Sequence, residues 1–304
     1  MKPQFNQFVP YVANNQLLTI KEEMLEQREF HTPLQNILSS TGFVRNFDGE
    51  FITKLENGDK LITYRKQEKK LHKYTFELKF KAAQIMREKE LGRKLKKDKK
   101  LPLKEAVEAS MIPNMPLEQP KDTLILLTEH NGKDYVIVSA NSVKAAEEVT
   151  SMLRSVMGSL PITLIDTVTL PDSFMTRWVE SKHDKQTHKY TLGNSVGMVD
   201  EDGMAIKITK GSVSEASTEE HINNNAKVVE LELEYDGFIS FKFTEDLIFK
   251  GIKYSDIKEF DDYKESDAYL TQEAKDIIIT SYVKELLFDM IDTLGGLNGE
   301  EEEI

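Results

Sequence analysis

Residues 227–254 read Lys-Val-Val-Glu-Leu-Glu-Leu-Glu-Tyr-Asp-Gly-Phe-Ile-Ser-Phe-Lys-Phe-Thr-Glu-Asp-Leu-Ile-Phe-Lys-Gly-Ile-Lys-Tyr. Val229, Leu231, Leu233 and Tyr235 alternate with Glu230, Glu232 and Glu234, the period of two that sends successive side chains to opposite faces of a strand. Asp236-Gly237 readily takes the positive φ angles of a two-residue turn, so residues 227–235 and 238–244 pair as a hairpin and 247–254 extend it into a meander. Short turns make neighbouring strands antiparallel; one face of this sheet is expected to be core and the other strongly acidic.

The same signals recur on the N-terminal side. Residues 217–225 carry a capping-box pattern, Ser217-Thr218-Glu219-Glu220, and read as a short helix. Residues 189–192 and 204–209 are strand candidates, 162–168 is a β-branched strand, and 170–182, with the only tryptophan, Trp178, is helical. Ala146, Val149, Leu153 and Val156 form the buried stripe of a helix that Gly158 stops. Hairpins are predicted around Asn131-Gly132 and around Asn57-Gly58. Residues 19–40 read as one helix with a capping box at Thr19-Ile20-Lys21-Glu22 and Gly42 just beyond its end. On the other side, 270–294 is a long apolar helix ended by Gly295-Gly296, followed by an acidic tail at Glu300–Glu303. The class is α+β, with antiparallel sheets and packed helices.

Charge separates one segment from this frame. The 304 residues carry 40 basic and 52 acidic side chains, a net charge of −12. Residues 60–104 hold 17 Lys and Arg against five acids, or +12, leaving 23 basic and 47 acidic residues and −24 on the other 259. Such asymmetry points to a polyanion-binding segment on a body whose other faces repel polyanions; the alternative is a solvated lysine-rich helix. Residues 74–97 have strong helix formers and no Gly or Pro before Gly92, and Phe76, Phe80, Ala83 and Met86 fall on one face. Lys79, Lys81, Arg87, Lys89, Arg93, Lys94, Lys96, Lys97, Lys99 and Lys100 are expected on the opposite face and at the C-terminal end. Pro102 suits the first turn of a second helix running to about Met111, which makes the pair a projecting basic arm.

Several chemistries are excluded or weakened. There is no cysteine, hence no disulfide, thiolate metal site or cysteine nucleophile. No phosphate-cradling G-x-x-x-x-G-K-[ST], no G-x-G-x-x-G and no H-E-x-x-H occurs; Gly193, Gly197 and Gly203 read as loop glycines, and His183 and His188 as surface residues. Asp200-Glu201-Asp202-Gly203 reads as an acidic turn. Asp172, Glu180 and Lys182 superficially match the constellation of metal-dependent nucleases, but they lie on one short helix where Asp172 reads as an N-cap. No catalytic residue, metal or cofactor is expected. No apolar run reaches the roughly 20 residues of a membrane span, and the start lacks the apolar core of a signal peptide, so a cytoplasmic location is expected.

With these residues in view, a family resemblance emerges. Gly92-Arg93-Lys94-Leu95-Lys96-Lys97, then Leu103-Lys104-Glu105-Ala106-Val107 and Ile112-Pro113, resemble the arm of the recombination-associated RdgC family. Lys144-Ala145-Ala146-Glu147-Glu148 through Leu153-Arg154 to Gly158-Ser159-Leu160-Pro161, then Thr176-Arg177-Trp178-Val179, then His221-Ile222 with Lys227-Val228-Val229, follow in the family's order. The resemblance covers nearly the whole chain. It implies a ring-shaped homodimer that encloses double-stranded DNA without sequence preference, antagonises the RecA recombinase, associates with the nucleoid and has no catalytic activity. It also implies DNA contacts from Lys89, Arg93, Lys94, Lys96, Lys97, Lys99, Lys100, Lys207 and Lys210. Met115 and Leu117 are the candidate dimer contacts at the arm tip. The chain departs from the family at Asn114-Met115-Pro116, at Thr209 and at Gly211, and residues 1–42 match poorly. The expected division is a central α+β lobe (1–72 with 120–180), a basic helical arm (73–119) and a C-terminal α+β lobe (181–304). A metal-dependent nuclease using Asp172, Glu180 and Lys182, or a protein-interaction module without DNA, are the rival readings.

Overall fold

The structure, a computed structural model, describes residues 5–14, 19–181, 189–209, 216–255 and 268–299. In chain order the first elements are β1 (Val9–Ala13), α1 (Glu22–Glu26), β2 (Ser39–Val44), β3 (Ile52–Lys54), β4 (Lys60–Glu68), α2 (Lys73–Leu91) and α3 (Lys97–Met111). They are followed by β5 (Lys121–His130), β6 (Lys133–Val138), α4 (Val143–Met157), β7 (Ile162–Leu164) and α5 (Pro171–Ser181). The C-terminal part comprises β8 (Tyr190–Val199), β9 (Ala205–Thr209), α6 (Ala216–Asn223), β10 (Lys227–Tyr235), β11 (Ile239–Thr244), β12 (Phe249–Tyr254) and α7 (Ala268–Thr293). Every pairing between these strands that is described below is antiparallel, as an α+β class requires. The chain forms two compact units, one of Met1–Glu22, Ile52–Ile62 and Thr123–Ile304, the other of Glu23–Phe51 and Thr63–Asp122.

In the larger unit β5 and β6 pair from Ile125↔Val138 to His130↔Lys133, and the turn residues Asn131 and Gly132 have φ of 50° and 73°. β6 pairs with β1, and β1 with β7. A second sheet has the order β12-β11-β10-β8-β9. Asp236 and Gly237, at φ 48° and 75°, turn β10 into β11, with Tyr235 opposite Ile239. Ile279, Val283, Leu286, Leu287, Met290 and Ile291 are all buried at helical spacing along α7, and with Leu294 just beyond its end they share one cluster with Leu231, Leu233, Tyr235, Phe241 and Phe243. Gly295 and Gly296, both at positive φ, end that helix. Each large apolar side chain so buried is worth about 1.5–3 kcal/mol, which makes this cluster the main source of stability.

The alternation along β10 breaks once. Val228 faces Met198 and Glu230 faces Gly197, so Val229 is an extra residue in a bulge. Val228 is therefore fully buried and Val229 only partly, the reverse of the expected assignment.

In the smaller unit β2 pairs with β4 from Ser39↔Glu68 to Val44↔Thr63. The single helix expected over residues 19–40 is not formed: α1 ends at Glu26 and an extended segment follows. Pro33 cannot continue a helix. Instead Phe30 N–H donates to Phe43 O at 2.8 Å and Phe43 N–H to Arg28 O at 2.8 Å, drawing the segment along β2. Gly42 is not a helix stop; a Cβ there would lie 2.6 Å from Arg28 O, so only glycine admits this approach. Glu22 does not close a capping box, and its Oε1 accepts from Ile52 N–H at 2.9 Å within the larger unit.

Candidate nucleic-acid interface

The basic arm is a helical hairpin. α2 spans 19 residues, about 28 Å, and ends at Gly92, whose left-handed φ of 64° lets its N–H reach Lys89 O at 3.3 Å. Glu88 fastens the turn that follows: its Oε1 accepts from Gln84 Nε2 at 2.9 Å and from Leu95 N–H at 3.0 Å. These hydrogen bonds, with smaller help from Lys94 and Lys100, hold the Glu88 carboxyl below the usual carboxylate range. α3 then runs back, starting five residues before Pro102, so that proline lies inside the helix rather than in its first turn. Phe76, Val107, Met111 and Met115 are the buried core of the hairpin, with Phe80 and Ala83 packed at its edge and Lys104 Nζ 5.7 Å from the centre of the Phe76 ring.

Met86 is not on this core face; it is 65% exposed. The face opposite the core is also not the lysine face that the pattern suggested. Tyr74, Leu78 and Ile85 occupy it, all more than half exposed, and the basic residues flank them and concentrate around the turn. That stripe shows in the sequence as a second apolar period of four and seven beside the first.

The structure sorts the basic run into two groups. At the root of the arm, Arg65 Nε and Nη2 grip Asp122 at 2.6 and 2.7 Å, Lys66 pairs with Glu68 at 3.0 Å and Lys70 with Glu118 at 2.9 Å. Lys69 is buried and directs its ammonium at the carbonyl oxygens of Leu34, Gln35 and Ile112. Those four charges are used internally. Around the turn, Lys89, Arg93, Lys94, Lys96, Lys97 and Lys99 are exposed and Lys100 half-buried, and no ion pair engages any of the seven among the described residues. Unpaired ammonium and guanidinium groups on one turn carry condensed anions in water and release them when phosphates take their place.

Met115 is 7% exposed in the arm's own core, whereas Leu117 is 45% exposed. Lys70 N–H donates to Pro116 O at 2.9 Å and Leu117 bridges Lys69, so both residues lie where α2 begins, at the far end of the hairpin from the basic turn.

A second basic group sits on the outer face of the second sheet. Lys207 on β9 is exposed, 3.7 Å from Glu230 on β10; Lys210 lies outside the described residues. Glu230 also meets Lys242 on β11 at 3.1 Å and Lys250 on β12 at 4.0 Å. Burial raises the Glu230 pKa, but the hydrogen bond from Lys242 and the three positive charges outweigh it and hold the carboxyl below its ordinary range. At Glu230 the face expected to be acidic is thus neutralised from neighbouring strands. Gly193 and Gly197 are not loop residues but lie within β8. A Cβ on Gly193 would come within 2.6 Å of Glu232 Cγ, and one on Gly197 within 3.3 Å of Glu230 Cβ, so both glycines let β10 side chains lie across β8. Gly203 does lie in a turn, where Asp200 Oδ1 accepts from Asp202 N–H at 3.1 Å and Met204 N–H at 2.7 Å.

The nuclease constellation does not assemble. Asp172 and Glu180 are eight residues apart on α5, about 12 Å along its axis, too far to share one ion. Asp172 is inside the helix, which begins at Pro171, and its Oδ1 accepts from Ser173 N–H at 2.6 Å. Lys182, His183 and His188 lie outside the described residues. No cluster of three or more His, Asp or Glu that could hold a metal ion occurs among the described residues, and no helix there is long and apolar enough to cross a membrane.

The chain is similar to known proteins over nearly its whole length. The family described as "Putative exonuclease, RdgC" matches residues 5–297. Among curated proteins, the recombination-associated protein RdgC of Proteus mirabilis is 27% identical over 96% of this chain and 98% of its own length. Those of Enterobacter sp. and Yersinia enterocolitica are 26% and 27% identical, covering 96% and 85% of this chain and 98% and 86% of theirs. With the family matched from the first described strand to the residues that follow the last helix, the chain belongs to the RdgC family.

Proposed function

We propose that this protein binds double-stranded DNA without sequence preference, as a ring-shaped homodimer, and restrains RecA-dependent recombination by occupying the duplex. The observation that carries the reading is the cluster of unpaired cations around one turn of a chain whose net charge is −12. Phosphate neutralisation by such groups supplies affinity with little base discrimination, and nothing in the arm has the spacing of a base-reading motif. The relatives' name places them in recombination, where an accessory factor meets duplexes of every sequence. A closed dimer multiplies weak contacts, because the second set binds at high effective concentration. Its bore must exceed the roughly 20 Å width of a duplex while its outer surface keeps the acidic excess. Arg93, Lys94, Lys96 and Lys97 are the principal phosphate contacts, supported by Lys89, Lys99, Lys100, Lys207 and Lys210. Leu117, which is exposed, is the dimer contact, whereas Met115 packs in the arm's own core. The protein acts in the cytoplasm on the nucleoid and is not an enzyme.

The test is fluorescence anisotropy of two unrelated duplexes of about 30 base pairs at several KCl concentrations. Equal affinities are expected, with a log–log salt slope of about −0.9 per neutralised phosphate, and Lys96→Gln with Lys97→Gln, which removes two lysines from each protomer of the dimer, should flatten it by about 3.6. Sequence preference, or no binding at low salt, refutes the reading. Because the family description contains the word exonuclease, the same duplexes are incubated with Mg²⁺; end degradation that Asp172→Ala abolishes would revive the nuclease.

A further inference from the structure

Three lysines from three strands converge on one glutamate in the second sheet. Lys207 reaches it from β9, across the bare backbone of Gly197 in β8, and Lys242 and Lys250 reach it from β11 and β12. Only Lys242, at 3.1 Å, is at hydrogen-bonding distance; Lys207 and Lys250, at 3.7 and 4.0 Å, are held by charge alone. One carboxylate against three ammonium groups leaves an excess of two positive charges. The lysine side chains are 59%, 31% and 34% exposed, so the group is open to a ligand from solvent. A glycine inside a strand marks a place where something approaches the backbone closely, and at Gly197 the Glu230 side chain does so. A carboxylate gathering three cations over bare backbone stands where a backbone phosphate would be bound.

We infer that Lys207, Lys242 and Lys250 form a seat for one phosphodiester group of the duplex and that Glu230 is its built-in counterion, which the phosphate must displace or share. Glu230 is then an affinity-limiting residue: it keeps the seat assembled in the free protein and weakens each phosphate contact, so that the protein exchanges along DNA. This rests on the duplex-binding reading and assigns Glu230, Lys242 and Lys250 a part in it.

The experiment is the same salt titration on full-length Glu230→Gln, Glu234→Gln and Lys242→Gln/Lys250→Gln proteins, each with its thermal unfolding midpoint measured alongside. Glu234 lies on the same face but opposite Ser240 and Thr191 rather than a seat lysine, so its variant controls for net charge. Glu230→Gln should tighten binding about fivefold at 0.1 M KCl and steepen the slope by about 1.8, one seat on each protomer, while Glu234→Gln moves it by less than half as much. The double lysine variant should weaken binding and flatten the slope, and as a change of two surface side chains it tests the seat even where Glu230→Gln lowers the midpoint. Equal effects from Glu230→Gln and Glu234→Gln would reduce Glu230 to generic repulsion and overturn the inference. So would wild-type slopes from both Glu230→Gln and the lysine pair, while arm variants still weaken binding; that result leaves duplex binding intact. Loss of binding in the wild type instead removes the underlying reading and this inference with it.

Discussion

The sheet-and-helix core of the larger unit and the basic arm of the smaller one solve opposite problems. Among the described residues, the main cluster of the larger unit holds 34 buried side chains, whereas the arm closes over four, Phe76, Val107, Met111 and Met115. A large core tolerates few charges because each must be desolvated or paired, and the pair it does hold, Asp59 with Lys284 at 2.9 Å, is an exception secured from two sides. A two-helix hairpin buries little and leaves most positions in water, where cations cost nothing to keep. Charge density is therefore high where burial is thin, and the part best suited to meet a polyanion is also the part expected to open most readily.

That contrast can be broken at several points. Phe249 stacks on Phe8 at 4.3 Å and touches Phe241 and Phe243, so Phe249→Ala should cost about 3–5 kcal/mol, read as a lower urea midpoint of the whole protein. Phe76→Ala should cost about 3 kcal/mol, but locally: hydrogen exchange in α2 and α3 rises about a hundredfold while the urea midpoint hardly moves. Equal midpoint shifts for the two variants would show that the arm is no separate unit of stability.

Asp59→Ala sharpens the comparison on the electrostatic side. It strips Lys284 Nζ of both carboxylate oxygens, at 2.9 and 3.1 Å, and should lower stability by about 2–3 kcal/mol in the same denaturation. Glu88, the half-buried counterpart in the arm, should show the smallest effect. Its folded-state pKa is lowered, so its contribution is present above the unfolded carboxylate pKa and is lost as pH falls through the lowered value. The Leu95 amide resonance should hold its position from neutral pH down through the usual carboxylate range and move only below it. Glu88→Gln should remove that titration and raise exchange at Leu95 without changing the urea midpoint.

Much of this was legible from residues alone. Asp236-Gly237, Asn131-Gly132 and Asn57-Gly58 located three hairpins because positive φ is a local requirement. The stripe Ala146, Val149, Leu153 and Val156 located α4 because helical spacing is local too. Residues 19–40 failed because a capping-box pattern is weak against a proline and against backbone bonds to β2 that only the folded chain offers. Val229 failed because a bulge depends on the partner strand.

For the site, the sequence by itself determined that a basic segment exists, that it is helical and that it breaks at Gly92, since composition and φ preference are properties of the chain. Only the tertiary structure decided which cations are free. Arg65, Lys66, Lys69 and Lys70 are indistinguishable in sequence from Lys94 to Lys97, yet the first group is consumed by Asp122, Glu68, Glu118 and three carbonyls. It was also the sheet register that drew Lys207, Lys242 and Lys250 around Glu230 over a glycine that looked like a loop residue. Coulomb energy depends on separation in space, and residues 207 and 250 become neighbours of one carboxylate only when five strands are laid side by side.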